Sequence, residues 1–330
     1  MAEKTPSAPP AAAPPAAATG SAETEPSSSR IESELVAATG LELGILVMLG
    51  VVWLVATLRL ADDLLFRNRL DAGQLASGVS LVLPGVVNAS LLAGASIGLA
   101  ASLLRLADSG QSGRAAIIRR ALVGSGAAAI LGALTVLLIL LRYGAGSATV
   151  VLAITVGFAA VLGGAAAGLP RPILVAAAIG TLEVFVLGVL AGYFQSPLKS
   201  VLGAGTDPAS QLSAASWLQA VTAITQGVAI GLTTYFYLRQ RTESRSWPRF
   251  ALAGALPGVM LLVGLALSVI GGSGLSNLSG ELSDADRIVR DLVNGAGLNQ
   301  ALTVAFVGAI VAMIMVGRTL RRSPEDDEPA

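Results

Sequence analysis

The chain has 330 residues, 54% of them hydrophobic and only 13% charged, with a formal net charge of zero and neither cysteine nor histidine. Soluble domains carry about 25% charged residues, so the composition points to the membrane class. The missing Cys and His exclude disulfides, thiol nucleophiles, Cys/His zinc sites, haem on an axial His, and Ser/His or Cys/His catalytic pairs. A neutral chain also gives no electrostatic case for nucleic acid. Its richness in Ala, Gly and Arg, against Lys4 and Lys199 as the lysines, reads as a GC-rich bacterial gene.

Residues 1–33, opening MAEKTPSAPPAAAPPAAATG, are rich in Pro, Ala, Ser and Thr. They are expected to be a disordered tail, because such a segment cannot bury a core. Pro9, Pro10, Pro14 and Pro15 rule out the apolar core of a signal peptide. Residues 34–320 are expected to form a single transmembrane helical domain. Its spans are placed at about 41–58, 80–104, 121–141, 148–169, 173–194, 215–237, 250–270 and 299–317. Each is long enough to cross about 30 Å of hydrocarbon as a helix. The charged end at 321–330 is expected to be disordered again. The fold class is therefore all-α, a polytopic transmembrane helical bundle of about eight spans.

Basic residues set the expected orientation. Arg105, Arg114, Arg119 and Arg120 lie between spans two and three, Arg171 between four and five, Arg239, Arg241, Arg245 and Arg249 between six and seven, and Arg318, Arg321 and Arg322 after span eight. With eight spans all of these fall on the cytoplasmic side, as do both termini, in a cytoplasmic membrane. The first loop, with Arg59, Arg67 and Arg69, also fits a model in which span two is re-entrant and the N-terminus external. The length of 80–104 favours eight spans. In the last loop, ELSDADRIVRDLV is expected to be a separate surface helix, capped by Ser283 and stopped at Asn294-Gly295.

Chemistry concentrates at few positions. Glu183 sits at mid-depth in span five, where an ionised carboxylate costs roughly 2.5–3.5 kcal/mol on insertion scales. A neutral acid is expected there unless a cation or water accompanies it. In span six, Gln219, Thr222, Gln226, Thr233 and Tyr237 share one helical stripe, which must meet protein or water rather than lipid. Glu183 is expected to face Gln226, with Asn88 of span two at similar depth. Read structurally, a protonated Glu bonded to Gln is helix glue worth about 0.6–2 kcal/mol.

Leu83-Pro84-Gly85-Val86 and Leu256-Pro257-Gly258-Val259 share the string LPGV. It is read as a chance match or as two proline kinks near helix ends, at Pro84 and Pro257, rather than as an inverted repeat. Small-xxx-small pairs such as Gly94/Gly98 and Gly227/Gly231 argue for close helix packing. No GxxxxGK[ST] loop is present, and Asp62-Asp63 reads as surface ion pairing rather than a metal site. No cofactor and no metal is expected.

The expected function is a permease or secondary transporter of a small solute. Glu183 would be its titrating or substrate-contacting acid, Gln219, Thr222, Gln226 and Asn88 would line the path, and Pro84 and Pro257 would bend. The alternative is a non-catalytic scaffold or subunit that meets a protein partner in the membrane. An enzyme is not expected, since no span carries two converging acids.

Overall fold

The computed structural model describes residues 27–65, 72–106, 113–241, 246–278 and 284–320. These form α1 (Ser27–Leu65), α2 (Ala72–Leu106), α3 (Arg114–Tyr143), α4 (Ser147–Ala165) with a 3-10 turn at Ala166–Gly168, α5 (Arg171–Tyr193), α6 (Gln195–Val201), α7 (Pro208–Arg241), α8 (Trp247–Leu278) and α9 (Asp284–Leu320). No strand occurs among the described residues. Met1–Leu41 and Glu42–Ala330 are separate compact units. The first contains, in its described part, the opening turns of α1, which starts at Ser27, ahead of the boundary at 33 set from composition. Residues 1–26 and the tail at 321–330 lie outside the described residues.

Eight of the helices are long and apolar enough to cross a membrane, and the protein is an integral, multi-pass membrane protein of the all-α class. The second span runs unbroken from Val82 to Arg105, as a spanning helix rather than a re-entrant loop requires. Both prolines read as kinks lie inside continuous helices, Pro84 in α2 and Pro257 in α8.

Helix ends follow local chemistry. Gly144, at φ 79°, ends α3 in a conformation that a side chain would strain. Arg171-Pro172 starts α5 with a proline in its first turn, where the missing N–H is harmless. Asp207 opens α7, accepting Ser210 N–H at 2.9 Å and the Ser210 hydroxyl at 2.8 Å. One expectation fails. α9 continues through Asn294-Gly295, so ELSDADRIVRDLV is not a separate helix among the described residues. A glycine inside a helix costs only about 1 kcal/mol, less than leaving several carbonyls unpaired near hydrocarbon.

Glycines determine how the helices meet, and they do so by one plan used twice. In the first half, a Cβ at Gly94 or Gly98 of α2 would strike Ala160 or Gly164 of α4. The numbers rise together, so these two helices run parallel. A Cβ at Gly124 or Gly132 of α3 would strike Gly164 or Gly157 of α4, so α3 runs antiparallel to both. In the second half, Gly227 and Gly231 of α7 meet Val307 and Val311 of α9, and Gly254 and Gly258 of α8 meet Gly308 and Ala305. The directions are the same. α1 packs on α2 through Gly50, which faces Ala93 and Ser96, and α5 packs on α7 through Gly180, which faces Ile230.

The sequence carries the same correspondence. Gly94-Ala95-Ser96-Ile97-Gly98-Leu99 matches Gly227-Val228-Ala229-Ile230-Gly231-Leu232. Arg119-Arg120-Ala121-Leu122-Val123-Gly124 matches Arg249-Phe250-Ala251-Leu252-Ala253-Gly254, and Thr155-Val156-Gly157-Phe158 matches Thr303-Val304-Ala305-Phe306. Burial agrees too: Val156 and Val304 are both fully buried, whereas Phe158 and Phe306 both project outward. Helices α2–α4 and α7–α9 thus share three short strings and a glycine-set packing with the same helix directions. LPGV is not part of this correspondence, since Pro84 and Pro257 fall in non-corresponding helices.

Candidate functional site

Glu183 lies half-way along α5 and half-buried. Its Oε1 accepts the Thr233 hydroxyl of α7 at 2.6 Å. Its Oε2 is buried without a hydrogen-bond partner. The side chain lines a groove of about 650 Å³ between α1, α5 and α7. Ile45, Leu46 and Leu49 of α1, Ile179, Leu182 and Val186 of α5 and Ala229 of α7 form its apolar walls. Ile45, Leu49 and Val186 are 40–52% exposed on the outside of the spans, where hydrocarbon would lie, so the groove opens sideways towards lipid.

One end of the groove is polar. Glu42 and Tyr237 line it. Arg241 pairs with Glu42 and sits 5.9 Å from the centroid of the Tyr237 ring. Arg171, at the start of α5, is also within electrostatic range of the Tyr237 hydroxyl. Thr233 and Arg241 are eight residues apart on α7, so the carboxyl of Glu183 lies about 12 Å further into the span than this ion pair. Above Glu183, Phe185 stacks on Trp53 of α1, with ring centroids 4.8 Å apart.

The span-six stripe divides between two tasks. Gln226, fully buried, donates to the Val184 carbonyl of α5 at 2.9 Å and accepts from Gln300 of α9 at 3.0 Å. Gln219 donates to the Ala296 carbonyl of α9 at 2.7 Å. The Thr222 hydroxyl donates to Leu218, one turn back on its own helix. Gln219 and Gln226 join helices, Thr222 bonds within its own helix, and none of the three lines the groove, whereas Thr233 and Tyr237 face Glu183 or the groove. The residue hydrogen-bonded to Glu183 is thus Thr233, with Gln226 bonded to the backbone of the next residue.

Asn88 stands elsewhere. Its Oδ1 is buried without a partner, against Gly264 of α8, at a void of about 10 Å³ among Leu91, Leu174, Thr181 and Met260. Pro257 packs its ring against Gly180, leaving 2.9 Å to the place a Cβ would take. Pro84 borders a separate cavity of about 170 Å³ beside Ser268, Asp291 and Asn294. Asp62 pairs with Arg142 of α3 at 3.7 Å. Among the described residues, no group of His, Cys, Asp or Glu is placed to hold a metal.

The shared packing supplies an internal reference that the sequence reading lacked. Counting from Gly94 and Gly227, Gln219, Thr222, Gln226 and Thr233 correspond to Val86, Ala89, Ala93 and Ala100. At the four positions aligned from Gly94 and Gly227, α2 carries apolar side chains. The signal that could have found this was the string G-x-x-I-G-L, present in both α2 and α7. No protein-family model, curated protein or solved structure matches the chain.

Proposed function

We propose that the protein is a permease-type carrier of a small, largely apolar solute, which enters the α1/α5/α7 groove from the bilayer and contacts Glu183. The observation that carries this reading is the buried, unpartnered Oε2 of Glu183 beside a groove of about 650 Å³. That volume falls within the range of small-molecule sites, about 300–1,000 Å³. Most buried polar oxygens find a hydrogen-bond partner, and this one lies beside a groove large enough to bring one.

A second reading, a non-catalytic scaffold or membrane subunit, is favoured by a different observation. Gln219, Gln226 and Gln300 are taken up in helix-to-helix bonds, and the glycine contacts bring backbones too close for a solute to pass between those helices. Carbodiimide labelling of Glu183 in native membranes, read by mass spectrometry with Glu183→Gln as control, separates the two. A reachable carboxyl is modified, and a lipophilic solute in the groove protects it. Absence of modification at every pH, in protein that assembles normally, would remove the carrier reading in favour of the scaffold.

A further inference from the structure

We propose that the groove's occupant is a lipophilic monovalent cation, exchanged for the proton on Glu183. This rests on the carrier reading and adds the charge of the solute. Among the described residues, the ionisable side chains lining the groove are Glu42, Glu183 and Tyr237, with no Lys or Arg. Glu42 already has a cationic partner in Arg241. Glu183 has only the Thr233 hydroxyl, and one of its oxygens has nothing.

A carboxyl in that setting is neutral with a proton or ionised with a cation beside it, because an ionised acid alone in hydrocarbon is strongly disfavoured. The groups facing it reinforce this choice. α1 presents Glu42, α7 presents Tyr237 with Arg241 beyond it, and Arg171 stands at the far end of α5 itself. α2 and α8 present Leu91, Leu92, Met260 and Leu261 towards α5, none of which titrates. No fixed positive charge therefore competes for the Glu183 carboxylate at mid-depth.

The walls suit the rest of such a molecule. Ile45, Leu46, Leu49, Ile179, Leu182 and Val186 offer apolar surface to the rest of such a molecule on one side only. The exchange balances: Glu183-COOH and the cation give the Glu183 carboxylate paired with the cation and one proton released to water. Reversing it on the other side of the membrane would couple expulsion of the cation to proton entry.

The test uses the full chain in lipid nanodiscs with two probes, tetraphenylphosphonium and the neutral triphenylphosphine oxide. Saturable binding of the cation is expected, with one proton released per cation in weakly buffered solution. Glu183→Gln is expected to lower cation affinity about a hundredfold, as loss of one member of a buried charge pair does, and to leave the neutral probe unaffected. Ile179→Trp, which fills the groove, is expected to weaken both. Cation binding without proton release by the native chain overturns the exchange, even if Glu183→Gln fails to assemble. Neutral-probe binding that Ile179→Trp abolishes, with no cation binding, overturns the charge assignment and leaves the carrier reading intact. Binding of neither probe removes both.

Discussion

Replacing Gly94 by alanine tests the packing plan at a point where backbone meets backbone. The added methyl would fall on the backbone carbonyl of Ala160, with Ala160 Cα also within 2.9 Å. Backbone cannot rotate away, so α2 and α4 must part by more than 1 Å. A gap of 0.5–1 Å already forfeits a quarter to a half of each atom–atom attraction of about 0.1–0.2 kcal/mol. Over some tens of atom pairs along this contact, the loss is about 2–3 kcal/mol, at the upper end of the usual penalty for overpacking. The Ser90 hydroxyl, which donates to the Val156 carbonyl at 2.7 Å one turn away in the same contact, would be stretched as well. Unfolding of purified protein in mixed micelles by titration with a denaturing detergent measures the change. Gly192→Ala on α5, where a Cβ meets nothing, is the control and should be neutral or stabilising by up to about 1 kcal/mol. A Gly94→Ala variant within about 0.5 kcal/mol of the native chain would refute the argument that these glycines set the helix separation.

Further outcomes are expected elsewhere. Gln226→Leu should destabilise the protein by about 1–2 kcal/mol, and a double-mutant cycle with Gln300→Leu should return a coupling near the 0.6–1.7 kcal/mol found for hydrogen bonds between membrane helices. Coupling indistinguishable from zero would show that the Gln300–Gln226 bond contributes nothing. The Asp207 carboxyl is held below the usual aspartate range, first by the Ser210 backbone N–H and then by the Ser210 hydroxyl. Because the folded form binds its proton less readily, this contribution is complete above the unfolded pKa and disappears as pH falls through the lower, folded value. Protection of the first-turn amides of α7, taken relative to their intrinsic exchange rate at each pH, should therefore fall on acidification below the ordinary aspartate range, and Asp207→Asn should abolish that step. The chain has no cysteine, so Leu182→Cys gives a single reporter within the groove. Its reaction with a membrane-permeant maleimide should accelerate several-fold when Glu42→Gln breaks the pair with Arg241, and an unchanged rate would mean that this pair does not hold α1 over the groove.

The spans were legible from the sequence because hydropathy acts residue by residue: every expected span overlaps a helix of the structure. Glu183 stood out for the same reason, as the acid in an otherwise apolar run. What was not legible depended on which helix touches which. Gln226 and Thr233 share a face of α7, and nothing local says which of them reaches Glu183 and which reaches the Val184 carbonyl. The correspondence between α2–α4 and α7–α9 was hidden because its matches are short and consist of the commonest residues in the chain, and because the spacing between matched strings changes from helix to helix. LPGV, the most visible shared string, falls outside it. Asn294-Gly295 misled in the opposite sense, since a local stop signal gave way to the continuity of a long helix.

Four is an even number of crossings, and this has a consequence for how such a chain can be taken apart. A set of four spans starts and finishes on the same side, so α1–α4 and α5–α9 can each insert in the direction they have in the whole chain. Neither need invert, and a short connection suffices; here it is the stretch from the 3-10 turn at Ala166–Gly168 through Leu169 and Pro170 to α5. Cut there and expressed as two polypeptides, the protein should insert each fragment independently, with the interhelix contacts of α2 against α5 and α8 left to reunite them.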